Sequence, residues 1–255
     1  MPTPDDLHEP AVEFCARSDV GRVRQRNEDT LELRPQQGWA VLADGMGGYR
    51  GGDVASRIAV AAVLRRLERA AGPEADARVE AACAMLADAA REANADILRA
   101  ARATPELSSM GSTLLTAVFL SRHVVSAHLG DSRLYRLQRG VLAQLTRDHT
   151  MLQEQIDGGI MTVEAAARSR FKGMLTRGLG VSEKVNPEVG VHDAQAGDVF
   201  LMCSDGLTDM LSDREIAAVL GAGGPIEAAA ERLVELANLN GGRDNISVIV
   251  ARKRR

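Results

Sequence analysis

The stretch "WAVLADGMGGYRGGDVASRIAV" runs from Trp39 to Val60. Its apolar run, Trp39 to Ala43, ends in an acid, Asp44. Five glycines follow within eight residues: Gly45, Gly47, Gly48, Gly51 and Gly52. A second acid, Asp53, then opens an alanine-rich pattern with helical spacing. Glycine loses the most backbone freedom on folding, so such a run is costly unless the backbone needs it. One reading is a tight turn between a strand and a helix. The other is a place where backbone must come very close to something charged.

Nucleotide cradles fail on residue identity. A P-loop needs Lys and Ser/Thr after its last glycine, and Asp53 and Val54 stand there. A dinucleotide fingerprint needs a third glycine where Arg50 stands. A calcium loop needs acids at alternate positions, which Met46 and Gly48 occupy.

Outward from this stretch the chain reads as strands, two helices, several strands, two helices and a strand. Residues 1–10 are polar, contain three prolines and read as a disordered tail. "VEFCARSD" (12–19), "TLEL" and "WAVLA" read as strands. Asp53 reads as the N-cap of a helix whose apolar face carries Ile58, Ala62, Val63 and Leu67. Leu86, Ala90, Ala93 and Ile97 form a second helical stripe. After Pro105, "STLLTAVFL", "HVVSAHL", "RLYRL" and "VLAQL" read as a four-strand meander. Residues 147–185 are irregular and polar, with a short helix near "TVEAAA". Strands return at "NPEVGV" and "DVFLMC", helices at "DREIAAVL" and "PIEAAAERLVELAN", and "ISVIVA" is a final strand. This order lacks βαβα alternation and fits an α+β layered domain with antiparallel sheet. One domain over 11–252 is expected, followed by a basic tail at 253–255.

The totals narrow the function. The chain has 255 residues and a net charge of −4, no electrostatic footprint for nucleic acid. Aromatics make up 3%, so the core must come from Ala, Val, Leu and Ile. Cys15, Cys83 and Cys203 are odd in number and widely spaced, which suggests a reducing compartment. No apolar run reaches the ~18 residues of a membrane span, and the expectation is a cytoplasmic monomer.

The arrangement at Asp44 recurs. "VVSAHLG" ends at Asp131, "DVFLMCS" ends at Asp205, and Asp244 stands just before "ISVIV". One Asp-Gly after a strand reads as a turn. Four acids at strand ends can instead converge on one rim, where they repel unless cations lie between them. All-oxygen ligands point to Mg²⁺ or Mn²⁺. Scattered histidines and unpaired cysteines make zinc a poor fit. Near the N-terminus, "GRVRQRNEDT" places Arg24 and Arg26 beside Glu28 and Asp29. It reads either as a solvated face or as an Arg holding phosphate beside metal-bound carboxylates.

The motifs "RQRNED", "ADGMGG", "MGSTL", "GDSR", "SDGL" and "RDNIS" occur in this order over residues 14 to 251. Together they resemble the metal-dependent (type 2C, PPM) protein Ser/Thr phosphatases of bacteria. The resemblance implies a four-layer α-β-β-α sandwich, two antiparallel sheets flanked by helices, with a binuclear Mn²⁺/Mg²⁺ centre at one end. Matched motif by motif, Asp44 would bridge two tightly bound metals and Gly45 would offer its carbonyl. Asp205 and Asp244 would complete one metal, Glu28 would hold the other, and Arg24 would bind the substrate phosphate. Asp131 would hold a third, weaker metal. A hydroxide bridging the metals would attack the phosphorus of phosphoserine or phosphothreonine in line. The implied partners are phosphorylated proteins and a Ser/Thr kinase acting on the same substrates.

Two departures stand out. Met46 replaces the His that eukaryotic relatives carry after Asp-Gly, leaving the proton donor open between a metal-bound water and His149 of "TRDHT". The region 147–180, with Arg168, Arg170 and Lys172, reads as a substrate-selecting flap. A Cys-based phosphatase fails, since no cysteine has Arg six residues later. A phosphoprotein-binding scaffold without catalysis would be expected to lose metal acids, and Asp44, Asp205 and Asp244 are all present.

Overall fold

The computed structural model describes residues 11–70, 79–167, 169, 171 and 173–254. The N-terminal tail read over 1–10 and the flap cations Arg168, Arg170 and Lys172 lie outside the described residues.

Two antiparallel sheets face each other. One has the order β1-β11-β10-β7-β8, formed by β1 (Val12–Asp19), β11 (Ile246–Lys253), β10 (Val199–Cys203), β7 (Arg133–Gln138) and β8 (Val141–Gln144). The other has the order β2-β3-β5-β6-β9, formed by β2 (Asp29–Arg34), β3 (Trp39–Met46), β5 (Leu114–Phe119), β6 (His123–Leu129) and β9 (Glu188–Asp193). The short β4 (Gly111–Ser112) pairs with the end of β3. Helices α1 (Gly48–Ala70) and α2 (Val79–Ala103) cover the second sheet, and α6 (Asp213–Gly221) and α7 (Ile226–Leu239) cover the first. This is the expected four-layer sandwich.

Strand β10 is apolar at every position, and β5 at every position but Thr116, because both of their faces are buried. On β3, Trp39, Val41 and Ala43 face the α1–α2 layer, while Ala40 and Leu42 face the opposite sheet. On β10, Val199, Leu201 and Cys203 face the α6–α7 layer, while Phe200 and Met202 face inward. The period of two thus fills three cores between four layers. The inter-sheet core draws three of the chain's four phenylalanines into one row: Phe14 meets Phe119 edge-on at 5.1 Å, and Phe119 meets Phe200 at 5.4 Å.

Several expectations need correction. The meander does not stay in one sheet: β5 and β6 belong to one, β7 and β8 to the other, and the chain crosses at Gly130–Ser132. Helix α1 begins at Gly48, so Asp53 lies inside it and is not its N-cap. The turn is confined to Gly47, at φ +131°. Gly45 and Gly52 are needed for close approach. A Cβ on Gly45 would lie 2.0 Å from the Gly52 carbonyl oxygen, so the first turns of α1 pack directly on the end of β3. Two short helices, α3 (Met151–Asp157) and α5 (Asp205–Thr208), lie where no helix is expected; α4 (Val163–Ala167) is the short helix read at "TVEAAA". Lys253, read as part of a basic tail, is the last residue of β11, is 1% exposed, and donates from Nζ to the Leu120 carbonyl at 3.0 Å. Arg254 is exposed but its N–H donates to the Ala11 carbonyl at 2.9 Å, and position 255 lies outside the described residues.

Phe200→Ala should lower unfolding stability by about 3–5 kcal/mol, because the ring is fully buried between the sheets. Phe171→Ala, at a ring that is 59% exposed, should change it by less than about 0.5 kcal/mol. Urea unfolding followed by circular dichroism checks the pair, and similar losses would refute this account of the core.

Candidate active site

Strand register brings the acids together. Asp29 opens β2 directly opposite Asp44 near the end of β3. The start of β5 pairs with the end of β6 through Leu114 and Leu129, which puts Asp131 at the same end. In the other sheet, Cys203 at the end of β10 pairs with Val248 near the start of β11, so Asp205 and Asp244 share that end too. Ser204 ties the sheets there: its hydroxyl donates to Asp29 Oδ2 at 2.8 Å. Arg24, Glu28, Asp44, Gly45, Asp131, Asp205 and Asp244 all line one cleft of about 910 Å³. The structure thus brings every sequence-predicted site residue to one place.

The backbone under these acids is fixed. The Asp44 N–H donates to Thr113 Oγ1 at 2.9 Å, and the Asp44 carbonyl accepts from the Thr113 N–H at 2.8 Å and the Ser112 hydroxyl at 2.9 Å. Thr113 Oγ1 also meets Ser132 Oγ at 2.8 Å, linking the β3 rim to the turn that carries Asp131. Asn245 holds the Arg24–Glu28 loop. Its Nδ2 donates to the carbonyls of Val20 at 3.0 Å and Arg26 at 2.8 Å, and its Oδ1 accepts the Glu28 N–H at 2.8 Å. The sequence reading missed Asn245 and gave Asp29 no role. The signal for Asn245 was a polar residue between Asp244 and the start of a largely apolar strand. Burial, then the charge of Asp53 one turn into α1, raises the Glu28 pKa.

Electrostatics dominate the cleft. Burial, then repulsion from Asp29, Asp205, Asp131 and Asp244, pushes the Asp44 pKa well above the usual carboxylate range. Burial, then Asp131 and Asp244, does the same to Asp205. Asp131, 8% exposed, rises to about 6 through burial and then Asp148. Among the described residues no donor reaches the buried Asp205 Oδ1. Arg24 and Arg26 are cations at the wall; Arg24 Nη2 donates to Asp244 Oδ2 at 2.6 Å, and 53% of its side chain is exposed. A set of oxygen donors, mutually repelling and with one buried oxygen unmatched, fits hard divalent cations. No histidine lines the cleft among the described residues. His149 turns its ring to Gly130 and Glu188.

The pH dependence follows with a definite sign. A carboxyl whose folded pKa is raised keeps its proton in the native state where the unfolded chain has lost it, so stability falls as pH rises between the two values. For Asp131 the interval runs from 3.8 to about 6, worth on the order of 3 kcal/mol at ~1.4 kcal/mol per tenfold change in proton affinity. The metal-free protein should therefore lose melting temperature as pH rises from about 4 to about 6. Asp131→Asn should reduce the fall and saturating Mn²⁺ should remove it. A flat metal-free profile by scanning calorimetry would refute the assignment.

Comparison with known proteins agrees with this geometry. The profile of the family described as "Protein phosphatase 2C" matches residues 21–241. Serine/threonine phosphatase stp of Listeria monocytogenes is 38% identical over 242 residues, covering 93% of this chain and 94% of the relative. Serine/threonine protein phosphatase PstP of Mycobacterium tuberculosis is 37% identical over 240 residues; these cover 94% of this chain, which spans 45% of the PstP length. The PstP crystal structure superposes with a TM-score of 0.87 at 36% identity, covering 96% of this chain and 99% of that one. The PstP catalytic domain in complex with two manganese ions superposes with a TM-score of 0.84, again at 36% identity and with the same coverage. With the family profile matched over residues 21–241 and relatives similar along nearly the whole chain, the chain belongs to the protein phosphatase 2C family.

Proposed function

We propose that this chain hydrolyses phosphoserine and phosphothreonine esters in proteins, opposing a Ser/Thr kinase that acts on the same substrates. The observation that carries the reading is the convergence of Glu28, Asp44, Asp131, Asp205 and Asp244 on one cleft beside Arg24. Residues 11–253 serve as one catalytic domain, with 147–180 as a substrate-selecting flap that adds Gly173 and Leu175 to the cleft wall. The three cysteines are free, and no helix among the described residues is long and apolar enough to cross a membrane. We place the activity in the cytoplasm, with the chain working as a monomer.

Asp44, Asp205, Asp244, Glu28 and the Gly45 carbonyl would hold two Mn²⁺ or Mg²⁺ ions, and Asp131 a third, weaker one. Bound there, the cations would supply the Lewis acidity that ionises a water near neutral pH and neutralises phosphoryl oxygens. The remaining work falls to this chain's own groups. Arg24 offers a planar fork of N–H donors that matches phosphate oxygens bidentately. Its exposure lets it swing from Asp244 toward a phosphate at the mouth of the cleft. Met46 lines the cleft with a thioether and cannot give a proton to the departing serine oxygen, and His149 faces elsewhere. Solvent is left as the proton source.

Chelation should abolish p-nitrophenyl phosphate hydrolysis, and Mn²⁺ or Mg²⁺ should restore it. Full activity in excess chelator would sink the reading. Asp44→Asn, Asp205→Asn and Asp244→Asn should each lower kcat by about 10²–10³-fold or more. Asp44→Asn and Asp205→Asn should be at least as stable as wild type without metal, because each removes a buried carboxyl from a mutually repelling group. A phosphoprotein-binding scaffold would instead retain phosphopeptide affinity with no metal-dependent turnover.

Arg24→Ala should lower kcat/KM about 10–100-fold, chiefly through KM, as expected for a lost charge-assisted contact of about 1.5–3 kcal/mol. Steady-state kinetics at saturating Mn²⁺ measure this, and wild-type constants would return Arg24 to the solvated surface.

A further inference from the structure

One buried cluster outside the cleft has no role so far. His128 and His149 are 2% and 1% exposed, and their rings stack in parallel with centroids 4.6 Å apart. Glu188 on β9 pairs in register with His128 and lies beside both rings. The three have the composition of a metal site, with ligand atoms within 4.8 Å of one another. Their hydrogen bonds decide against it. His149 Nδ1 accepts the Gly130 N–H at 3.2 Å, and only an unprotonated ring nitrogen accepts. Neutral His149 therefore carries its proton on Nε2, which faces Glu188 Oε2 at 3.2 Å. A metal on Nε2 would force the proton onto Nδ1, directly against the Gly130 N–H. Metal-binding histidines donate through their second nitrogen, and this one accepts.

The same contacts describe a clamp. The His149 N–H donates to the Gly130 carbonyl at 3.0 Å, while the Gly130 N–H donates to the His149 ring. One residue thus holds both polar groups of the Gly130 backbone. That backbone is in the left-handed region at φ +105°, and a Cβ there would lie 2.7 Å from Thr113 Cγ2. The next residue is Asp131. On its other side, the His149 carbonyl accepts the Thr176 N–H at 2.8 Å, from the loop that brings Leu175 to the cleft.

We propose that His149 is a positioning residue: oriented by Glu188, its ring fixes Gly130 and so sets where Asp131 enters the cleft. The proposal rests on the phosphatase reading. It requires an acceptor at the Nδ1 position, and two replacements separate that requirement from bulk. The side-chain oxygen of Asn can occupy the place of Nδ1, whereas Gln puts its amide nitrogen at the place of Nε2 and offers Gly130 nothing.

His149→Asn should keep kcat on a phosphoserine peptide within about threefold of wild type. His149→Gln should lower kcat about tenfold with little change in KM, the worth of one hydrogen bond to a buried amide. Asp131→Ala should show a kcat loss of the same kind, and the double variant His149→Gln/Asp131→Ala should lose nothing further. Calorimetric titration with Mn²⁺ should show the weakest binding step weakened in His149→Gln and the tighter binding unchanged. Equal kcat in the Asn and Gln variants, or additive losses in the double variant, would overturn the proposal. So would an Nδ1-protonated tautomer of His149 in nitrogen NMR of the wild-type protein, a reading that does not depend on any variant folding. Failure of the phosphatase reading would appear separately, as a wild-type protein without turnover, while the tautomer and Mn²⁺ titration still report on the clamp.

Discussion

Repulsion among carboxylates held at one rim is the constraint around which this structure is arranged. Two unit charges 4 Å apart repel by about 4 kcal/mol at a partly screened protein surface. Besides burial, the charges of Asp29, Asp205, Asp131 and Asp244 all raise the pKa of Asp44 here. Flexible loops would relieve such crowding by swinging apart. This fold denies them that freedom, because strand register places Asp29 and Asp44 and short hydrogen bonds seat the turns that carry the rest. The large three-layered core supplies the stability that the rim gives up.

Much of the architecture was legible because its central strands are apolar on both faces, and such runs announce themselves by length and boundaries. The same property hid the partition between sheets. A strand with one wet face says which side is which; β5 and β6 are buried at nearly every position and say nothing of the kind. The crossing at Gly130–Ser132 therefore looked like any hairpin turn. The start of α1 was hidden for the opposite reason. Glycines disfavour helix locally, and here tertiary contact overrides that tendency, since only residues without side chains let α1 seat on β3.

The acids of the cleft were legible because each interrupts an apolar run at its end. Asn245 and Asp29 were not, because their roles exist only through partners far away in sequence. Asn245 joins a loop more than two hundred residues earlier, and Asp29 meets Ser204 of the opposite sheet. His149 was legible only as a candidate acid. Which of its nitrogens holds a proton depends on the Gly130 amide and the Glu188 carboxylate, neither of which lies near it in the chain.

The pairing of β1 with β11 has a consequence for how the molecule is made and joined to others. Val12 pairs with Lys253 and Asp19 with Ile246, so the first and last strands are neighbours. The sheet they share cannot close until Lys253 has left the ribosome, and such long-range pairing slows folding. Until then the inner face of β10 lacks its β11 neighbour, an edge open to wrong partners. The same adjacency sets the direction in which sequence can be added. Val12 and Lys253 sit at the end of their strands opposite the acid rim. A tether fused beyond either residue would emerge away from the cleft, leaving its mouth free to meet a large phosphorylated protein.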